Sequence, residues 1–260
     1  MIMRKDNDSQ MTFIETWWEK ENLNIDSGKL LIEDSDTVDH VVEELQGIDK
    51  EYLEADVGAN CFEIISMLEM QGFHFVETAI ELKGNLSEIH IPRAGNRFVE
   101  CVSYIQSTEE ELSVIEELIA SGEMFQTDKI SLNPLFGKKK AGIRYRKWTE
   151  SLLAQGARCF SIKYRESLIG FEICTCKNGQ AELFLGGRFP NTGVGAGMMT
   201  ATASYDFWRR QEIQCIITRV SSNNLPVLKL HEMFGMRVNN LRYILVNDQE
   251  LKGRLQKEEL

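Results

Sequence analysis

The 260-residue chain has no run of about eighteen apolar residues, so no membrane-spanning helix is expected. Its first ten residues, MIMRKDNDSQ, lack the apolar stretch of a secretory leader, which points to a cytoplasmic protein. It also has too few basic residues to balance its acids. Lys and Arg number 29 against 40 Asp and Glu, a net charge of −11, which disfavours nucleic acid and anionic membranes as partners. Local basic spots remain, notably Lys138, Lys139 and Lys140. Six cysteines are present but none forms CxxC. Cys174 and Cys176, two apart in FEICTCK, have no histidine beside them to complete a metal site. They are expected to be small buried thiols in a reducing compartment, with no metal.

What is present is a packed globular composition, 43% hydrophobic. The first half alternates. KLLIE from Lys29 and EYLEADV from Glu51 predict strands. Asp36 is expected to cap a helix over Thr37–Gln46, and Asn60 one carrying Ile64, Ile65, Met67 and Leu68, stopped by Gly72. FHFVETAIEL predicts a further strand. A stretch with Gly84, Pro92 and Gly95 has no sustained period and predicts a domain boundary, dividing the chain into 1–97 and 98–260. RFVECVSYI then reads as a strand, and STEEELSVIEELIASG as a helix capped by Ser107 or Thr108. A helix over Lys139–Gln155 precedes three strands joined by tight links at Glu166-Ser167 and Asn178-Gly179. IQCIITRV, Asn224–Phe234 and MRVNNLRYILV predict strand, helix and strand. Laying Val57 over Val220 also aligns Asn60, Glu69, Met70 and Gly72 with Asn223, Glu232, Met233 and Gly235. That echo is what a repeated strand–helix–strand unit would leave. Its first copy has no glycine-rich loop ahead of it, so ligand chemistry is expected in the second.

The loop in question is FLGGRFPNTGVGAGMMTATASYDFW. Gly186, Gly187, Gly193, Gly195 and Gly197 fall just before a helical pattern. Glycines let a backbone approach a ligand closely, and a helix start offers unpaired N–H groups, so a bound phosphate is expected. A P-loop needs a lysine that does not follow here. A dinucleotide fingerprint meets Met198 where its last glycine belongs, and the next strand ends in TRV with no acid for a ribose.

PNTGVGAGMM resembles instead the Q/R-x-x-G-x-G/A loop of the GNAT N-acetyltransferase family, with Pro190 where Gln or Arg is usual. A second register starts at Thr192. NLPVLKLHEMFGM is similar to the family's later motif, N-x-x-A-x-x-x-Y-x-x-x-G-F, with Asn224 and Gly235 matching, Val227 for Ala, His231 for Tyr and Met236 for Phe. MLEMQGFHFVETAIEL and the stretch around RYRKWTESLL resemble the two-domain sugar-amine acetyltransferases related to TDP-fucosamine acetyltransferase, although their W-D-S-x-F-F-G signature is replaced by FIETWWEKENLNIDSG.

The resemblance implies an α/β (α+β) fold. A mixed, centrally antiparallel sheet is flanked by helices and preceded by a smaller α/β domain, a degenerate copy of the same half. It implies acetyl-CoA as co-substrate and a small amine acceptor, such as an amino sugar or nucleotide-linked amino sugar, and leaves a homodimer open. Asn191, Thr192, Gly193, Val194, Gly195, Ala196 and Gly197 would cradle the pyrophosphate, helped by Arg188 and Asn224. Backbone groups of Leu183, Leu185 and Gly187 would pair with the pantetheine arm. His231 would protonate the leaving thiolate, and Glu182 or its hairpin neighbour Glu172 would take the amine proton. Arg144, Tyr145 and Trp148 would border the acceptor. The competing reading is a catalytically inactive, coenzyme A-binding or regulatory module on the same fold.

Overall fold

The computed structural model describes residues 11–258; the charged N-terminal segment read above for a leader lies outside them. The chain begins with β1 (Thr12–Glu15), α1 (Trp18–Leu23), β2 (Ser27–Ile32), α2 (Val38–Gln46), β3 (Tyr52–Gly58), α3 (Phe62–Met70) and β4 (His74–Asn85). It continues through α4 (Arg93–Asn96), β5 (Val102–Gln106), α5 (Glu109–Ala120), α6 (Lys129–Leu132), α7 (Gly137–Ala154), β6 (Arg158–Tyr164), β7 (Ser167–Lys177) and β8 (Gln180–Arg188). Then follow α8 (Ala196–Trp208), β9 (Cys215–Ser221), α9 (Leu225–Met233), β10 (Arg237–Asn247) and α10 (Gln249–Glu258).

The described residues up to Ala79, joined by those from Leu241 on, form one compact unit, and Ile80–Asn240 form the other. The boundary expected at 97/98 thus lies inside the second unit. The glycine- and proline-bearing stretch is not a linker. β4 runs on to Asn85, Leu82 is buried in the second unit's core, and α4 packs on α8. The end of the chain also returns to the first unit, where β10 pairs antiparallel with β3 from Arg242↔Gly58 to Asn247↔Leu53.

In the first unit the strand order is β1-β2-β3-β10, with β2 and β3 parallel. Leu30, Ile32, Leu53, Ala55 and Val57 alternate onto one face and are covered by Val41 of α2 and by Ile64, Met67 and Leu68 of α3. The cap of α2 is Thr37, whose Oγ1 accepts from the His40 N–H at 3.4 Å. Asp36, the expected cap, instead accepts from the Glu33 N–H at 2.7 Å and closes the preceding turn. α3 is preceded by Cys61 rather than capped by Asn60.

In the second unit the order is β4-β9-β8-β7-β6-β5. The β5–β8 meander is antiparallel and β8–β9 is parallel. One face packs on α8 and α9 through Ala201, Tyr205, Trp208, Leu228 and Phe234; the other packs on α5 and α7 through Ile115, Ile119, Tyr145 and Leu152. This is the expected mixed, centrally antiparallel sheet between helices. α5 carries a full capping box. Thr108 Oγ1 accepts from the Glu111 N–H, and the Glu111 carboxylate accepts from the Thr108 N–H, an arrangement worth roughly 1 kcal/mol. Only the last part of RFVECVSYI is strand, β5; residues before it form tight turns.

The sequence echo has a structural counterpart. β3 and α3 match β9 and α9 residue for residue under the alignment of Val57 with Val220. Gly72 and Gly235, just after each helix, have φ of 89° and 96°, a conformation that glycine alone adopts without strain.

Candidate functional site

β8 is where the second sheet opens. Its parallel ladder with β9 runs from Gln180↔Cys215 to Leu183↔Thr218 and stops, the Thr218 hydroxyl donating to the Leu183 carbonyl at 3.0 Å. Beyond that point β8 continues to Arg188, paired with β7. At the same place β8 carries an extra residue. Ile173 pairs with Leu185 and Cys174 with Leu183, so Phe184 has no partner and forms a bulge. The bulge reverses the sidedness of the strand. Ala181 and Leu183 join the core under α8, whereas Leu185 joins the core under α7. Past Leu183 one edge of β8 has no β9 partner; alternation puts the backbone groups of Gly186 and Arg188 on it, whereas those of Leu185 and Gly187, expected to meet the pantetheine arm, face β7 opposite Ile173 and Phe171.

The open strand leads into the glycine loop. The Thr192 hydroxyl donates to the Phe189 carbonyl at 2.6 Å, and Arg188 Nη1 donates to the same carbonyl and to Thr192 Oγ1, each at 3.4 Å. Asn191 takes a left-handed conformation, φ 62°. Gly195, φ 92°, is the residue before α8, and no side chain caps that helix. The Ala196 N–H is held by the Gly193 carbonyl at 3.2 Å; those of Gly197 and Met198 are among the first-turn groups that no helical carbonyl can reach. A Cβ at Gly193 or Gly197 would meet nothing, and Val194 is fully exposed at the tip. The loop is an open cradle of donors at a helix start.

Sequence reasoning missed a cation beside this cradle. The Phe98 ring lies 3.9 Å from where a Gly195 Cβ would be, and the exposed Arg97 guanidinium stacks over Phe98 at 4.6 Å. The segment PRAGNRF held the signal, two arginines in a stretch without period, but no motif ties it to the loop.

His231, partly buried on α9, is tied to α8 by a 2.5 Å hydrogen bond between its Nδ1 and the Tyr205 hydroxyl. Burial pushes its pKa down to about 4, so the ring is neutral near pH 7. Tyr205, whose own pKa burial raises well above 10, is the donor and Nδ1 the acceptor. The ring hydrogen then resides on Nε2. Asn224 precedes α9, and its side chain makes no capping bond.

The two acids part company. Glu172 is buried and accepts from the Tyr104 hydroxyl at 2.6 Å, the Ser204 hydroxyl at 2.8 Å and the Trp208 indole N–H at 3.1 Å. Burial raises its pKa, with the three donors pulling the other way. It braces α8 against the sheet. Replacing it with Ala strands three buried donors, and Glu172→Ala is expected to destabilise the fold by about 3 kcal/mol or more, read as a lower urea midpoint. A loss below about 1 kcal/mol would show that the donors find other partners. Glu182, by contrast, is exposed, opposite Thr175 on β7.

Of the expected acceptor contacts, Tyr145 is buried in the core, its ring 4.4 Å from that of Phe125, and Trp148 leans on it at 5.9 Å with 38% of its surface exposed. Arg144 is half-buried on the same helix. Cys174 is buried as expected, its thiol pushed up to about 12 by burial, but Cys176 is exposed because it lies near the β7–β8 hairpin end. Among the described residues, no group of three or more His, Cys, Asp or Glu is placed to hold a metal, and no helix is long and apolar enough to cross a membrane.

The first copy of the repeat has no such opening. β2 and β3 pair without a break from Ser27↔Tyr52 to Ile32↔Val57. The turn that follows is EDSD, and Arg242 binds across it to Glu33 at 3.1 Å and to the Ile32 carbonyl at 2.8 Å.

No protein-family model and no curated protein matches the chain. Solved structures do. A GCN5-related N-acetyltransferase from Kribbella flavida superposes with a TM-score of 0.59 at 11% identity, over 94% of this chain and 89% of that one. One from Sphaerobacter thermophilus gives 0.57 at 10% identity, over 91% and 76%. A tandem GNAT protein from the clavulanic acid biosynthesis pathway gives 0.52 at 12% identity, over 85% and 74%. At these identities the likeness is one of fold.

Proposed function

We propose that the chain is an acetyl-CoA-dependent N-acyltransferase acting on a small amine, for which the sequence resemblance favours an amino sugar or nucleotide-linked amino sugar. The observation that carries this reading is the opened edge of β8 running directly into the cradle before α8. An amide-bearing pantetheine arm suits an unpaired strand edge, and a pyrophosphate suits the loop amides of residues 191–197. Arg188 and Arg97 supply the positive charge that an acidic chain otherwise lacks there. Asn224, whose side chain makes no capping bond, is assigned to the same ligand.

In the reaction the amine nitrogen attacks the thioester carbon and the C–S bond breaks, giving an amide and free coenzyme A. Glu182 takes the proton that the amine loses. A backbone N–H on the open edge of β8 stabilises the oxyanion. His231 presents its Nε2 hydrogen to the departing sulfur. Arg144 and Trp148, with Tyr145 as the packed support between them, border whatever part of the acceptor extends along α7 away from Glu182.

The cradle is tested at Gly193, where aspartate fits the free fold without clash or positive φ. Gly193→Asp places a carboxylate among the phosphate donors and is expected to weaken coenzyme A at least tenfold, about 1.4 kcal/mol. Calorimetry on the parent should give one site per chain, because the first copy of the repeat is zipped shut. Unchanged affinity in a folded variant reduces the loop to a turn; two sites per chain refute the closed first copy.

One observation favours a second reading, a coenzyme A-binding module without catalysis: His231 is neutral, so it is a weaker acid than an imidazolium. Binding without thiol release across a panel of amines would select it.

A further inference from the structure

A cavity of about 190 Å³ lies on the α7 side of the β7–β8 hairpin. It begins near the hairpin end at Lys177 and Gln180, passes Thr175 and Glu182, and ends at Phe184, the bulge where β8 leaves β9. Gln155 at the end of α7 closes its side. Thr175 and Lys177 share one face of β7, and Gln180 and Glu182 the same face of β8, so the period of the strands aims all four into one space.

Two of these groups carry opposite charge. Lys177 and Glu182 sit diagonally across the hairpin, a spacing that long side chains can bridge. Yet neither makes an ion pair or hydrogen bond among the described residues. The neutral groups are also partly uncommitted. Gln155 Nε2 donates to Ser151 Oγ at 2.9 Å, which leaves its carbonyl oxygen, and Gln180 Oε1 takes only a weak 3.8 Å contact from the Cys215 thiol, which leaves its amide N–H groups. A carboxylate, an ammonium, an amide oxygen and an amide donor thus converge on a space large enough for roughly six waters.

We infer that this cavity is the acceptor subsite, and that the acceptor is a small molecule bearing both an amine and an acidic group a few bonds apart. The inference rests on the acyltransferase reading for its location, next to the open edge of β8. Glu182 receives the amine at the end nearer the bulge, where it also accepts the proton. Lys177 and the Gln180 amide hold the acidic group at the end nearer the hairpin. A carboxylate or a phosphate satisfies that end equally, so an α-amino acid and an amino-sugar phosphate are both members of the class; this narrows the amino sugars favoured above to those that carry an acidic group. A nucleotide-linked sugar exceeds the volume unless its nucleotide lies outside.

The test is a calorimetric titration of the coenzyme A-saturated chain with glycine, glucosamine 6-phosphate and glucosamine, followed by thiol release with acetyl-CoA and the same three. The parent should bind one or both anionic amines at least tenfold more tightly than glucosamine. The glycine and phosphate arms separate the two sources of the acidic group. Lys177→Gln should remove that preference and Lys177→Glu should invert it, while coenzyme A affinity stays within twofold in both. Preference for an anionic amine with no thiol release upholds the subsite and refutes the transferase. Equal or tighter binding of glucosamine, no binding of any of the three, or a preference that survives Lys177→Glu overturns the inference, whether or not coenzyme A binds.

Discussion

Glu182→Gln is expected to lower turnover by about 10²–10⁴-fold, the usual contribution of a positioned acid or base. The side chain is exposed, opposite Thr175, with no ion pair or hydrogen bond among the described residues to lose. The amide keeps its shape, so stability should stay within about 0.5 kcal/mol. Coenzyme A affinity should hold, because the cradle lies at the far end of β8. The measurement is thiol release under single-turnover conditions beside a coenzyme A titration. Near-normal turnover would hand the proton to solvent, and a parallel loss of coenzyme A binding would mean that the strand itself had moved.

His231→Phe is expected to cost about 10²–10³-fold in turnover, the scale for losing one preorganised donor to developing charge. The ring's bulk is kept and the Nε2 hydrogen is lost. His231→Tyr should recover part of the rate. With a pKa pushed down to about 4 by burial, His231 should give no inflection in the rate profile between roughly pH 5.5 and 8. Stability gives an independent reading. The unfolded chain protonates this histidine near 6.5 and the folded chain only near 4, so the unfolded state binds more protons between those values. The stabilisation present above 6.5 is therefore lost as pH falls toward 4. The parent should lose up to about 1.4 kcal/mol per pH unit more than His231→Phe across that window. Parallel melting curves for the two would contradict the neutral ring.

The second unit was legible because its signals are local. Thr108 and Glu111 announce the start of α5, and Asn178-Gly179 the β7–β8 hairpin, within a few residues each. β1, α1, α4, α6 and α10 leave no clear signal: three are four-residue elements, and in TFIETWW and QELKGRLQKE the period is too short or too polar to stand out. The glycine loop was legible as composition. The opening beside it was not, because it depends on where Leu183 and Thr218, far apart in sequence, stop pairing. Alternation in AELFL would place Leu183 and Leu185 on one face, and nothing local marks Phe184 as the residue that separates them. The Glu172 cluster was equally hidden, since its donors come from β5 and α8.

The unpaired residue at Phe184 makes β8 two short strands in one, each with its own inside. Chain length therefore shapes this edge in a way that side-chain identity does not. Deleting Phe184 would leave Leu183 opposite Cys174 and Leu185 opposite Ile173, each on its present face, and would remove the extra residue at the point where β8 parts from β9. The edge proposed for the pantetheine arm therefore depends on the count of residues in β8.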